Sequence, residues 1–303
     1  MKPLAAVVLA ISVLVAGSAR AAPCVDLPHM SYPDAVITAC TVEIQLSRSR
    51  VDVATAYTVR SHAYALKGDK DRALVDLNQA LAVDPYLWTA LVNRAVFYSQ
   101  AGQLDLALKD YDDAILFHAD VPEAYLDRAI AYDKKGEPDR AIADANEAIR
   151  RSPKFLPAHL FLVDHYLAAG KLEAADQETA AALALGAKPA ALFNSRCWAR
   201  AVAGREPKLA LSDCNQALAL APNTASYLDS RGLVDLRIPD SDAAIKDYSA
   251  ALAANPNQPT SLYGRSLAKR RKGDVAGADA DAAAATAMDK TVGDQFARWG
   301  LNP

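Results

Sequence analysis

Two series of charged residues run through the chain at fixed spacing and are the first candidates for chemistry. Arginine stands at Arg60, Arg94, Arg128, Arg196, Arg231 and Arg265, with Leu162 breaking the series. A carboxylate recurs at Asp76, Asp110, Asp144, Glu178, Asp213, Asp247 and Asp281. A row of guanidinium groups could line a surface for an anionic ligand. Set opposite carboxylates, the same planar groups would instead form bidentate ion pairs. The acid repeats as faithfully as the arginine, so the structural reading is preferred. Such pairs fix local register while adding little net stability, and they leave no spare cation for a ligand.

The other reactive side chains are sparse. The histidines are His29, His62, His118, His159 and His165. His159 and His165 are six residues apart, which puts them on different faces of a helix rather than on the shared face a metal pair needs. His62 is read as an ordinary exposed histidine. Four cysteines, Cys24, Cys40, Cys197 and Cys214, contain no CxxC and have no histidine at ligand spacing, so no metal site is expected. GxSxG, phosphate-loop and HExxH patterns do not occur, and no catalytic constellation or cofactor site is expected. The run Lys269-Arg270-Arg271-Lys272 before Gly273 suits the carbonyl end of a helix and reads as a solvated face. An anionic envelope polymer or lipid surface is its sharper alternative.

Something regular must position these residues, and the sequence repeats accordingly. Gly68, Gly102, Gly136, Gly170 and Gly204 are 34 residues apart. Alanine keeps the same beat at Ala73, Ala107, Ala141 and Ala175, and resumes at Ala210, Ala244 and Ala278 after one inserted residue. A second column runs through Ala80, Ala114, Ala148, Ala182, Ala217, Ala251 and Ala285. Within Ala54 to Tyr86, apolar and small residues recur at three- and four-residue spacing on both sides of Gly68. That pattern is two amphipathic helices joined by a tight turn. Glycine accepts the left-handed backbone that ends the first helix, and alanine lets neighbouring helices approach closely. The composition agrees: 52% hydrophobic but only 7% aromatic residues describe close-packed helices rather than a thick sheet core. A formal net charge of −3 lacks the basic excess that nucleic-acid binding requires.

These columns resemble the tetratricopeptide repeat over roughly residues 54–290. Tyr64, Tyr98, Tyr132 and Tyr166 stand at that family's large first-helix position, and Ser61, Ala95, Ala129 and Gly232 at its small one. Arg200, Asp235 and Lys269 replace the tyrosine late in the chain, and Pro239 replaces the turn glycine. The resemblance implies an all-α solenoid of helix-turn-helix repeats, a right-handed superhelix with each first helix lining a concave groove. Seven repeats are expected over 54–291, preceded by a capping segment with one helix at 22–53 and closed by a helix at 292–303. Folding each repeat at its turn sets Cys197 across the hairpin from Cys214, while Cys24 and Cys40 lie together in the N-terminal cap. Three connectivities are open to four cysteines; the local one, Cys24–Cys40 and Cys197–Cys214, is expected in an oxidising compartment.

Residues 1–21 read as an export signal: Lys2 supplies charge, Leu4 to Gly17 is apolar, and Ala19-Arg20-Ala21 fits a small-x-small cleavage pattern. The apolar stretch is short for a membrane span, and no second one follows. A soluble periplasmic or secreted product is expected. Its first helices carry an apolar strip at Val92, Val96, Leu126, Ile130 and Leu160, bordered by Asp133 and Asp164 and extended by Trp198. The reading is a non-catalytic scaffold whose groove binds a peptide or helix of another envelope protein. Trp198 with Asn194, and Tyr263 near Asp229, support the rival, an accessory subunit of an envelope enzyme complex that recognises a glycan or other polymer.

Overall fold

The computed structural model describes residue 24 and residues 32–302 of the 303-residue chain. The proposed export signal lies outside these residues, as does His29. Sixteen helices and no strand occur among them. After α1 (Pro33–Leu46), pairs follow in order: α2 (Arg50–Leu66) with α3 (Lys70–Val83), α4 (Trp88–Gln100) with α5 (Leu104–Phe117), and α6 (Pro122–Lys135) with α7 (Pro138–Arg151). They continue as α8 (Leu156–Ala168) with α9 (Leu172–Ala184), α10 (Pro189–Ala203) with α11 (Pro207–Leu220), α12 (Ala225–Arg237) with α13 (Ser241–Ala254), and α14 (Pro259–Arg271) with α15 (Val275–Met288). A short α16 (Val292–Arg298) closes the described chain. Two compact units divide it, one ending at Ala158 and the other beginning at His159.

The turn between paired helices is built the same way each time. Gly68, Gly102, Gly136, Gly170, Gly204 and Gly273 have φ between +64° and +85°, where a β-carbon is disfavoured. The next residue's N–H then donates back to the first helix's tyrosine-column carbonyl: Asp69 to Tyr64, Gln103 to Tyr98, Glu137 to Tyr132, Arg205 to Arg200 and Asp274 to Lys269, at 2.9–3.1 Å. This is the Schellman arrangement. Pro239 replaces the glycine without losing the bond, since Asp240 donates to Asp235 at 2.9 Å.

Both alanine columns lie on the second helix of each pair. All fourteen of these alanines are at most 1% exposed. Size is exchanged between the small first-helix position and its second-helix partner in the sixth repeat, where a β-carbon at Gly232 would lie 3.0 Å from buried Tyr248. In the fifth repeat the exchange is covalent. Cys197 occupies the small position and is bonded to Cys214, with Cα atoms 5.4 Å apart. Cys24 and Cys40 are likewise bonded, with Cα atoms 5.0 Å apart, and sit with Val36 in the apolar contact that α1 makes with α2. No free cysteine occurs among the described residues.

Candidate functional site

The arginine ladder is a set of clamps. In Arg60, Arg94, Arg128, Arg196, Arg231 and Arg265, Nε and Nη2 donate to both oxygens of the acid on the following helix, at 2.5–2.9 Å. The acids Asp76, Asp110, Asp144, Asp213, Asp247 and Asp281 are all buried. Sequence reasoning missed a third contact. Nη1 reaches back to the preceding second-type helix, to Thr41 from Arg60, Asn78 from Arg94, Asp112 from Arg128, Asn215 from Arg231 and Ser249 from Arg265, at 2.6–3.2 Å. Each of these five guanidinium groups therefore ties its own hairpin shut and joins it to the helix before. The polar column Thr41, Asn78, Asp112, Asn215, Ser249 carries that signal, but its chemistry varies while its role stays constant. Where Leu162 breaks the series, His159 Nδ1 stands 2.6 Å from Glu178.

The column one turn beyond the arginines differs along the chain. Early, it is tyrosine lying against cations: Tyr64 against Arg72 at 4.5 Å and Tyr132 against Arg140 at 3.9 Å to the ring centroid. Later it is charged. Arg200, 2% exposed, adds a second guanidinium to Asp213 and also bonds Asp176 and Glu206. Lys269 joins Asp281 at 2.8 Å. Asp235 is buried beside Asp247, and burial together with that like charge pushes its carboxyl up to about 7.

The predicted groove residues lie on the first-type helices, and their exposure varies. In the first unit, Val96 and Leu126 are buried at 5% and 6% exposure, while Val92 and Ile130 are half-buried and Asp133 is exposed. Beside them Lys134 donates to the Ser99 hydroxyl at 3.2 Å. Asp127, which the sequence reading passed over, is pushed up to about 7, mainly by burial. In the second unit, Leu160 is half-buried and Asp164 exposed. Trp198 is not open: its ring meets Trp299 edge-on at 5.4 Å.

Three expectations need correction. His62 is buried, at 5% exposure, rather than an exposed histidine. The basic run is paired, not merely solvated: Lys269 to Asp281, Arg270 to Asp279, Lys272 to Asp242, and Arg271 to the Leu236 carbonyl. The residues offered for a glycan are used internally. Asn194 and Asp229 are buried, Asp229 accepts from the Ser261 hydroxyl at 2.5 Å, and Tyr263 leans on Phe296 with centroids 5.0 Å apart. No cluster of metal-ligating side chains occurs among the described residues. No helix among them is long and apolar enough to cross a membrane.

Stacked helical hairpins with a glycine turn and an alanine seam define an all-α repeat protein. Two family models, both described as tetratricopeptide repeat, match residues 126–194 with 230–291 and residues 54–86, together more than half of the chain. The chain belongs to the tetratricopeptide repeat family. Among solved structures, a tetratricopeptide repeat protein from Parabacteroides merdae is similar at 17% identity, over 82% of this chain and 98% of that one, with a TM-score of 0.61. The C-terminal part of a repeat protein from Cytophaga hutchinsonii gives 18% identity, 78% and 97% coverage, and a TM-score of 0.63. The Cut9–Hcn1 hetero-tetramer of the APC/C gives 17%, 89% and 53%, and 0.54. No curated protein matches the chain. Proteins of this fold bind peptides or other proteins, and the fold supports a role as an interaction scaffold.

Proposed function

We propose that the chain is a non-catalytic periplasmic scaffold that binds a peptide or helix of an envelope protein on its first-type helices. The observation that carries this is the division of labour within each hairpin. The ladder arginines are consumed by acids and polar groups. Of the fifth and ninth residues of the second and third repeats, Val96 and Leu126 are buried, while Val92 and Ile130 remain half-buried as an apolar strip. Exposed Asp133 and the Lys134–Ser99 pair border it. An amphipathic helix laid on such a strip gains affinity from apolar burial and register from the polar border. Leu160 and Asp164 hold the corresponding places in the second unit. Two disulfides and the apolar leader support an oxidising compartment.

A photo-reactive residue placed at Ile130 in the living cell tests the reading. It should give a discrete adduct with another protein, while the same group at exposed Val75 on α3 should give none. Equal labelling at both positions, or no adduct at Ile130, contradicts it.

A further inference from the structure

The end of the chain does not simply cover the last hairpin. Phe296 and Leu301 are 1% and 5% exposed, and both belong to the apolar core of the second unit. Phe296 meets Tyr263 on α14, Trp299 meets Trp198 on α10, and the Trp299 carbonyl accepts from Arg237 on α12. Tyr263, Trp198 and Arg237 lie at the fifth, ninth and thirteenth positions of three successive first-type helices, counting from residues 259, 190 and 225. In the first unit those positions carry the apolar strip and Lys134. One short segment thus touches the first-type helices of three repeats.

Arg237, which the segment touches, and its neighbour Arg271 are under-used. Arg237 donates only to carbonyls, those of Ala201 and Val202 at 2.9 and 3.1 Å and that of Trp299, and burial holds its pKa below the usual range. Arg271, whose charge also depresses it, donates to the Leu236 carbonyl at 2.7 Å. Neither arginine pairs with a carboxylate among the described residues, whereas every ladder arginine does. A helix-ending carbonyl is a fair partner for a guanidinium, but a carboxylate is a stronger one.

We propose that the first-type-helix face of the second unit is a binding site for a short acidic helix with two aromatic residues one turn apart. The chain's own segment from Val292 to Leu301 occupies it in cis. The aromatics take the places of Phe296 and Trp299, and a carboxylate following them reaches Arg237 and Arg271. This deepens the scaffold reading but does not depend on the strip at Val92 and Ile130, because each face is tested by its own readout.

Fluorescence anisotropy with a labelled, amidated peptide of residues 290–302 decides it. The chain cut after Asp289 should bind this peptide in the micromolar range. The full chain should bind it roughly 100-fold more weakly, because a tethered competitor acts at about millimolar effective concentration. The same peptide carrying Asn302→Asp should bind the cut chain about 10-fold more tightly, as a charge-assisted pair allows, and Arg237→Ala with Arg271→Ala should erase that preference. If the cut chain loses its helical circular dichroism, Trp299→Ala in the full chain loosens the segment while leaving Phe296 in place. Peptide binding should then rise by about five-fold or more, as loss of one aromatic anchor predicts. Equal binding to closed and opened chains, no binding to an opened chain that keeps its helical spectrum, or no preference for the acidic peptide overturns the proposal.

Discussion

The two units repeat one hairpin with different charge placement. In the first, the position one turn beyond each arginine is tyrosine, a neutral ring that accepts the cation's company and brings no further charge to the pair. In the second it is Arg200, Asp235 and Lys269, so Asp213 meets two arginines, Asp281 meets an arginine and a lysine, and Asp247 has a second carboxylate beside it. Each unit holds one disulfide, and the second adds a buried tyrosine against two glycines and its own C-terminal segment on its first-type helices. Regular charge pairing marks one half; local devices and a C-terminal segment laid on the first-type helices mark the other.

That contrast can be broken at several points. The largest effect is expected in the regular half, where Arg128→Ala strands buried Asp144 and should cost about 3 kcal/mol. Adding Asp144→Ala should return part of the loss in a double-mutant cycle of denaturant melts. Retained stability with lost partner binding would make the arginine a ligand group instead. Next comes the tyrosine slot of the irregular half. A β-carbon at Gly264 would lie 2.3 Å from Tyr248 Cζ, and one at Gly232 would lie 3.0 Å from it. Tyr248 is fully buried and has no room to retreat, so Gly264→Ala should cost about 2 kcal/mol by overpacking. Gly232→Ala should cost less. A Gly264→Ala protein with an unchanged melting temperature would mean the slot is looser than described.

A further effect depends on pH. Asp235 titrates near 7 in the folded chain, above its ordinary value of 3.8. The folded state therefore holds a proton that the unfolded state gives up, and the stability this group contributes is lost as pH rises from about 4 through 7. Asp235→Asn should raise stability over wild type by about 2 kcal/mol at pH 8, with the difference shrinking toward zero near pH 4. A difference independent of pH would remove Asp235 from the account.

The hairpins, the glycine turns and the alanine seam were legible in the sequence because a solenoid writes each contact several times. The pairing of Arg60, Arg94 and Arg128 with their acids could be read for the same reason, since both partners keep their type. The third arm of each clamp was not legible. Thr41, Asn78, Asp112, Asn215 and Ser249 share only the ability to accept a hydrogen bond, which no identity column shows. Nor was the position of Trp299 legible: a closing helix is written once, and helical spacing gives its apolar side but not how far back along the stack that side reaches. His62 misled because a polar side chain at a groove position was taken as exposed, although a histidine can be buried once its ring is packed.

The claim at the centre of the account is that the first unit keeps a strip for a partner rather than for its own core. Val92→Ser with Ile130→Ser addresses it most directly, because both residues are half-buried while neighbouring Val96 and Leu126 hold the packing. Thermal melts should show a loss within about 1 kcal/mol, as a partly exposed apolar site allows, while the cross-linked adduct at the strip, captured from an adjacent photo-reactive position, disappears. Marked unfolding of the double variant, or an adduct that persists in a folded one, would contradict it.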